Sequence, residues 1–540
     1  MKKLINTFFK LFPKNFLSWS ELVYVVLALL LFTFLAGYKI GKPGLYYDEL
    51  LFVNGALGGK IDMFVHSRVG NLPLMLMPYI GALKAWIFYP IFKIFGVTPE
   101  SIRWPVVAIG TLTLWINYRF IKMTFSRSAA LIFLLLAAVE PSTLFHTRLD
   151  WGPTVLMMFF RSLLLFFIFV WIKTKKSWVL IVIGIVGLLG IFDKLNFVWF
   201  ISAAVISLVM VYPKRFISYA KYHWRGSLVL AVLGLMSVIG FFLYTNYNLP
   251  LGKELGSLDW VLRWQQVVAL LQLTISGVGV YSVVVGNELS IASRQLIVLV
   301  VATITGLIVL IPTRKAKVEW RALGFIIIFS FLTLAQMFLT NKATGPHHAA
   351  MFAPLWLIPI SVLLGQVFNP TLHRLLFLKW SVLVLVLVVV ISSLSIDLSY
   401  LKSFDGPIQP RWDAGSYNLA KVIKENSERP VICVDWGTGT IIYGLLNGNV
   451  NLYDYWPTFS NGLSTIDAEY YEENLLPQNP IFVVPVEGKE TFSATRKHFF
   501  EIAVERNWKL VKFAQIEGQN GDLLFELYSI IFNPIELDSF

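Results

Sequence analysis

The chain has 540 residues, of which 56% are hydrophobic, 15% aromatic and 14% charged, with a mean hydropathy of +0.68 and a formal charge of +13. No soluble fold of this length buries so much apolar surface, and runs near the roughly 20 residues that cross a bilayer recur along it, so the composition excludes a soluble enzyme. The basic excess, which would suggest nucleic acid in a soluble chain, sits in short clusters between apolar runs and reads as topological; the single cysteine, Cys433, excludes an intramolecular disulfide framework and a cysteine-rich metal site.

A basic amino-terminal stretch (Lys2, Lys3, Lys10, Lys14) precedes an apolar run from Leu22 to Gly37 with no small-residue cleavage site after it, which is read as a retained first span. Further basic clusters follow at Arg119/Lys122/Arg127, Lys173/Lys175/Lys176, Lys214/Arg215/Lys221/Arg225, Arg314/Lys315/Lys317/Arg321 and His373/Arg374/Lys379, and the positive-inside rule puts all six in the cytoplasm. The apolar runs between them, near 102–118, 128–145, 154–172, 178–192, 195–212, 227–244, 294–311, 322–340, 349–367 and 380–397, bring the total to about 11 spans. An odd number places the carboxyl terminus outside. Two apolar stretches would invert this map if they crossed. Leu72–Val97, broken by Pro73, Pro78 and Pro90 and carrying Lys84 and Lys93, is therefore expected to lie on the surface or re-enter within a long first external loop (39–101), and Val267–Val285 is likewise expected to stay outside.

From about Leu401 the polarity becomes ordinary. Helical DAGSYNLAKVIKEN and ETFSATRKHFFEIAVERN alternate with strand-like PVICVDWG, NPIFVVPV, WKLVKFAQI and DLLFELYSIIF, which predicts a small extracytoplasmic α/β domain over 401–540 after a transmembrane module over 1–400.

On this map the remaining ionisable residues gather at the external ends of spans: Asp48 and Glu49, Arg68, Arg103, His146/Arg148/Asp150, Asp193/Lys194 and Lys342/His347/His348. Charge at a membrane boundary is costly unless paired, solvated or functional, so their convergence points to an outward-facing polar site holding acids and bases. Each has a plainer reading: a solvated loop start for Asp48–Glu49, a salt bridge for Asp193–Lys194, a helix-ending loop for the 146–150 segment. Adjacent histidines at a helix start point about 100° apart and rarely chelate one ion together.

The order of features resembles the GT-C superfamily of membrane glycosyltransferases, and most nearly its protein O-mannosyltransferase and lipid A aminoarabinose transferase branch. The likeness rests on a first span, then Tyr47-Asp48-Glu49, a long loop with Asn71-Leu72-Pro73-Leu74-Met75, Ile102-Arg103-Trp104-Pro105 leading into the next span, a basic turn, and an apolar span ending in His146-Thr147-Arg148-Leu149-Asp150. It is well ordered over roughly 20–215 and looser from 227 to 400. One element departs: the acidic-Lys-Pro-Pro-Leu stretch of the aminoarabinose transferases reads Arg68-Val69-Gly70-Asn71-Leu72-Pro73-Leu74 here, leaving that substrate and any associated metal carboxylate unassigned.

The resemblance implies a polytopic α-helical GT-C membrane protein with a C-terminal extracytoplasmic α/β domain, in a bacterial cytoplasmic membrane. It further implies transfer of a sugar from a polyprenyl-phosphate donor to a hydroxyl of a lipid, polysaccharide or protein acceptor at the outer face, with inversion and with no nucleic acid involved. A departing phosphate is a weak base, so such an enzyme needs no general acid, only a base for the acceptor and cations around the phosphate. Asp48 matches the family's first-loop carboxylate and is the expected base, with Glu49 second. Asp150 matches the second external carboxylate. Arg103, Arg148, Lys194, His146, His347 and His348 are the expected substrate-binding groups. No cofactor is required; a divalent metal is compatible with the reading, but the sequence does not indicate one. The rival readings are a transporter or lipid flippase binding a charged headgroup, an O-antigen ligase or polymerase, and a scaffold built around the tail.

Overall fold

The computed structural model describes residues 18–57, 65–222, 259–286, 289, 292–310, 319–340, 345–368, 376–462 and 465–531. The expected span 227–244, Lys342, Arg225, the basic clusters at 2–14 and 314–317, and His373/Arg374 lie outside these residues. The membrane part runs α1 (Trp19–Gly37), α2 (Tyr47–Ala56), a hairpin sheet β1 (Ser67–Val69), β2 (Leu72–Met77) and β3 (Ile80–Gly81), α3 (Leu83–Phe95), α4 (Pro99–Thr124), α5 (Arg127–Ala138), α6 (Pro141–Leu149), α7 (Thr154–Thr174), α8 (Ser177–Asp193), α9 (Val198–Val211) and α10 (Pro213–Tyr222). It continues through α11 (Trp260–Ile275), α12 (Gly279–Val284), α13 (Ala292–Leu310), α14 (Trp320–Leu339), the short α15 (Pro346–Ala349), α16 (Leu357–Gly365) and α17 (Leu376–Ser403).

Local chemistry explains the boundaries. Ser18 and Ser126 cap α1 and α5, Thr98 and Ser101 form a reciprocal capping box ahead of Pro99, and the Glu140 carboxylate accepts the Ser142 and Thr143 amides to start α6 behind Pro141. Among the described residues five helices are long and apolar enough to cross a membrane: α1, α7, α14, the segment Pro346–Phe368 and α17. The bent pairs α5–α6 (56°) and Leu195–Val211 with Pro213–Tyr219 (103°) raise the number to at most 7, against the 11 expected. The difference lies partly in α8, which is apolar but spans only 17 residues, and in α4, which has 26 residues but carries several polar ones. Leu72–Val97 folds as β2, β3 and the 13-residue α3, which is about 20 Å long and too short to cross.

The described basic clusters meet at one end of the bundle: Lys122 and Arg127 bridge Glu21 at the start of α1, Lys173 donates to the Met123 carbonyl, and Arg215 to that of Ile172. The tail comprises α18 (Gly415–Glu425), β4 (Val431–Cys433), α19 (Thr438–Leu445), β5 (Leu452–Asp454), α20 (Trp456–Asn461), α21 (Thr465–Tyr470), β6 (Ile481–Pro485), α22 (Thr495–Glu505), β7 (Lys509–Glu517) and β8 (Leu523–Ile531). Its sheet has the order β5-β4-β6-β8-β7, with β5, β4 and β6 parallel and the last two strands antiparallel. Strand alternation buries both faces: Ile432, Phe482 and Val484 pack with Phe499 of α22, while Val431, Cys433 and Val483 pack with Leu419 of α18 and Ile442 of α19.

The tail sits on the segment that follows α1. Gly44 donates to the Trp412 carbonyl, Tyr417 Oη to that of Gly41 and Asn54 to that of Thr440, while Tyr46 stacks on Trp412 at 4.2 Å. A Cβ on Gly44 would lie 2.4 Å from the Asp413 carbonyl oxygen, so this contact admits only glycine.

Candidate active site

Asp48 lies in the first turn of α2, and two buried arginines fix the segment leading to it. Arg103 of α4 donates from Nε and Nη2 to Glu49 at 2.7 and 2.8 Å, from Nη1 to the carbonyls of Ile40 (2.7 Å) and Pro43 (2.8 Å), and from Nη2 to that of Gly44 (3.0 Å). Arg148 of α6 spends its five N–H groups on the carbonyls of Ala36, Tyr38, Lys39 and Lys42. Both guanidiniums are fully buried. The two arginines expected to hold a phosphate are thus turned onto the protein with no donor to spare, and Glu49, expected as second catalytic carboxylate, is enclosed by Arg103 and the Tyr46 amide. They form a clamp that sets the direction of α2.

Two lysines face the site instead. Lys84, in the first turn of α3, pairs with Asp150 and lies 4.4 Å from the Phe52 ring centre. Asp150 caps α6 in the left-handed conformation (φ 43°) and accepts the Val155 amide at 3.1 Å with its other oxygen, so its carboxylate is held from two sides. Lys194 follows α8, and a bridge to Ile80 ties it to the hairpin. A Cβ on Gly81 would fall 1.8 Å from the Phe192 carbonyl oxygen, so glycine there lets the hairpin reach the end of α8 and brings Lys84 and Lys194 to the same place. Asp48 is half-buried, and no side chain among the described residues donates to it. Loss of solvent pushes its pKa up to about 6; Lys194 and Lys84 pull it down, and Asp150 and Glu49 push it further up. A carboxylate in this state is ionised at neutral pH yet basic enough to take a proton.

Two histidines lie near Lys194. His347 stacks on Trp151 (4.8 Å) and on His348 (4.0 Å), and its Nδ1 is buried with no partner among the described residues. His146 donates from Nδ1 to the Ser142 carbonyl (2.8 Å), which leaves Nε2 a bare buried acceptor, while His348 accepts the Gly345 amide. Asp193 does not pair with Lys194: both its oxygens are buried and have no hydrogen-bond partner among the described residues. Among the described residues no three carboxylate, imidazole or thiol groups converge as a metal ion requires. In the sequence Lys84 stands out only as a charge within a broken apolar stretch. Its signal was available: a lone lysine among Leu83, Ala85, Trp86 and Phe88 at a membrane boundary needs a partner or a task.

Residues 81–240 match the family described as dolichyl-phosphate-mannose-protein mannosyltransferase. Among solved structures the chain is similar to ArnT from Cupriavidus metallidurans bound to undecaprenyl phosphate, with 14% identity, 94% of this chain and 97% of that chain covered, and a TM-score of 0.57; the apo form gives 12%, the same coverage and 0.56. It is also similar to the apo Archaeoglobus fulgidus oligosaccharyltransferase, with 13% identity over 88% of this chain and 70% of that one and a TM-score of 0.52. No curated protein sequence matches.

Proposed function

We propose that this chain, a GT-C superfamily membrane glycosyltransferase by fold and family match, moves a sugar from a polyprenyl-phosphate donor to an acceptor hydroxyl at the membrane face where the tail sits, with inversion at the anomeric carbon. The observation that carries this is the placement of Asp48, a carboxylate with no hydrogen-bonded partner among the described residues, beside two buried lysines, Lys84 and Lys194. Asp48 takes the acceptor's proton as the acceptor oxygen bonds to the anomeric carbon. The bond from that carbon to the phosphate oxygen breaks, and its electron pair leaves with the phosphate. Lys194 and Lys84 neutralise the charge that develops there, with Asp150 fixing the Lys84 ammonium. A lysine suits this role as a point charge on a flexible stem, whereas the arginine forks are better spent on the carbonyls they hold.

A carrier or flippase would use the same cations without a base, and the matches to transferases do not favour it. The deciding experiment measures release of polyprenyl phosphate from a labelled lipid-linked sugar by the purified protein. Turnover that vanishes in Asp48→Asn supports the transferase; headgroup binding with no release in the wild type sinks it.

A further inference from the structure

The end of the bundle opposite Asp48 holds a recess. α7 begins beside Asp150 and Trp151 and ends at Thr174, 21 residues or about 30 Å away, which matches the hydrocarbon thickness of a bilayer. There α10 turns 103° from the helix before it, with Lys214, Arg215 and Lys221 beside exposed Phe216 and Ile217, the composition of a helix that lies at a lipid surface. Between the end of α7 and α10 lies a cavity of about 450 Å³ lined by Trp171, Lys175, Lys214, Arg215 and Ser218 among others, with no carboxylate among the described residues of its wall. Trp171, 6% exposed, packs edge-on against Tyr219 in that wall.

We propose that this recess binds the phosphate of an anionic phospholipid in the leaflet at the basic end of the protein. Three cations and a hydroxyl supply the chemistry for a phosphate, and the helix with its exposed apolar side chains supplies the surface for acyl chains that a free anion would not use. Nothing in the sugar-transfer reading requires this site.

The test is native mass spectrometry of the full chain released from nanodiscs of phosphatidylglycerol in phosphatidylcholine. Wild-type protein should retain one phosphatidylglycerol, and Lys175→Glu/Lys214→Glu should retain it at least about tenfold less, given two reversed charges at the headgroup. Lys176→Glu, an exposed neighbour outside the recess, should stay within about twofold, since it tests only diffuse attraction. Lys214→Gln removes one of the cations without reversing it, and should lower retention even if the double variant fails to assemble. Equal retention in Lys214→Gln and wild type, an equal fall with Lys176→Glu, or displacement by millimolar inorganic phosphate would each overturn the proposal.

Discussion

Replacing Lys194 with Met separates two jobs that one lysine is proposed to do. Asp48 titrates at about 6 because lost solvation outweighs the pull of Lys194 and Lys84, so at pH 7 about nine-tenths of it is ionised. Removing a nearby opposite charge typically raises a carboxyl pKa by about one to three units. A rise of one to two units would leave about half to a tenth of Asp48 ionised at pH 7. The acid limb of kcat/KM, which falls as pH drops through the pKa of the free enzyme's base, should therefore move from about 6 to about 7–8. Raising the pH restores the base but not the lost phosphate contact, so a residual defect in donor binding should persist above pH 9. The assay is initial-rate sugar transfer between pH 5 and 9.5, with donor affinity measured alongside. A limb that stays at 6 while the rate falls by one factor at every pH would refute the electrostatic coupling and leave Lys194 a donor contact alone.

Asp48→Asn should lower sugar transfer by about 10²–10⁴ with retained donor binding, because the amide keeps the volume but cannot take a proton; wild-type turnover would remove the base assignment. Arg103→Met leaves Glu49 buried without its counter-ion and should cost about 3–5 kcal/mol, read as a large fall in the thermal midpoint, whereas Lys84→Met should weaken donor use more than it weakens the fold. With single cysteines at exposed Lys421 and Lys176, a membrane-impermeant maleimide applied to intact cells should label only Lys421→Cys, and the reverse pattern would turn the whole map over.

Elements whose cause is local were legible. The tail's helix and strand patterns recur as α18, β4, β6, α22, β7 and β8, and most apolar runs recur as helices with caps that the sequence displays. Missing from that reading were β5 and α19, short elements without a period of their own. The charged partners were hidden for a different reason. Hydropathy says at which depth a charge lies but not what it faces, and the Arg103–Glu49 and Lys84–Asp150 pairs join residues 54 and 66 positions apart. Arg103, Arg148 and Lys194 look alike as cations at span ends. Only the carbonyls of residues 36–44, brought together by the turn after α1, reveal which two are spent on the backbone.

That turn also bears on how the protein meets membranes of unequal thickness. Because Arg103 and Arg148 reach across from α4 and α6 to grip the chain between α1 and α2, the carboxylate at position 48 travels with the same body that carries Asp150 and its lysine. A thinner or thicker bilayer would be met by tilt of the whole bundle or by deformation of the lipid. The distances among acid and cations should then be insulated from hydrophobic mismatch, and turnover in vesicles should change little across acyl chains that differ by a few carbons.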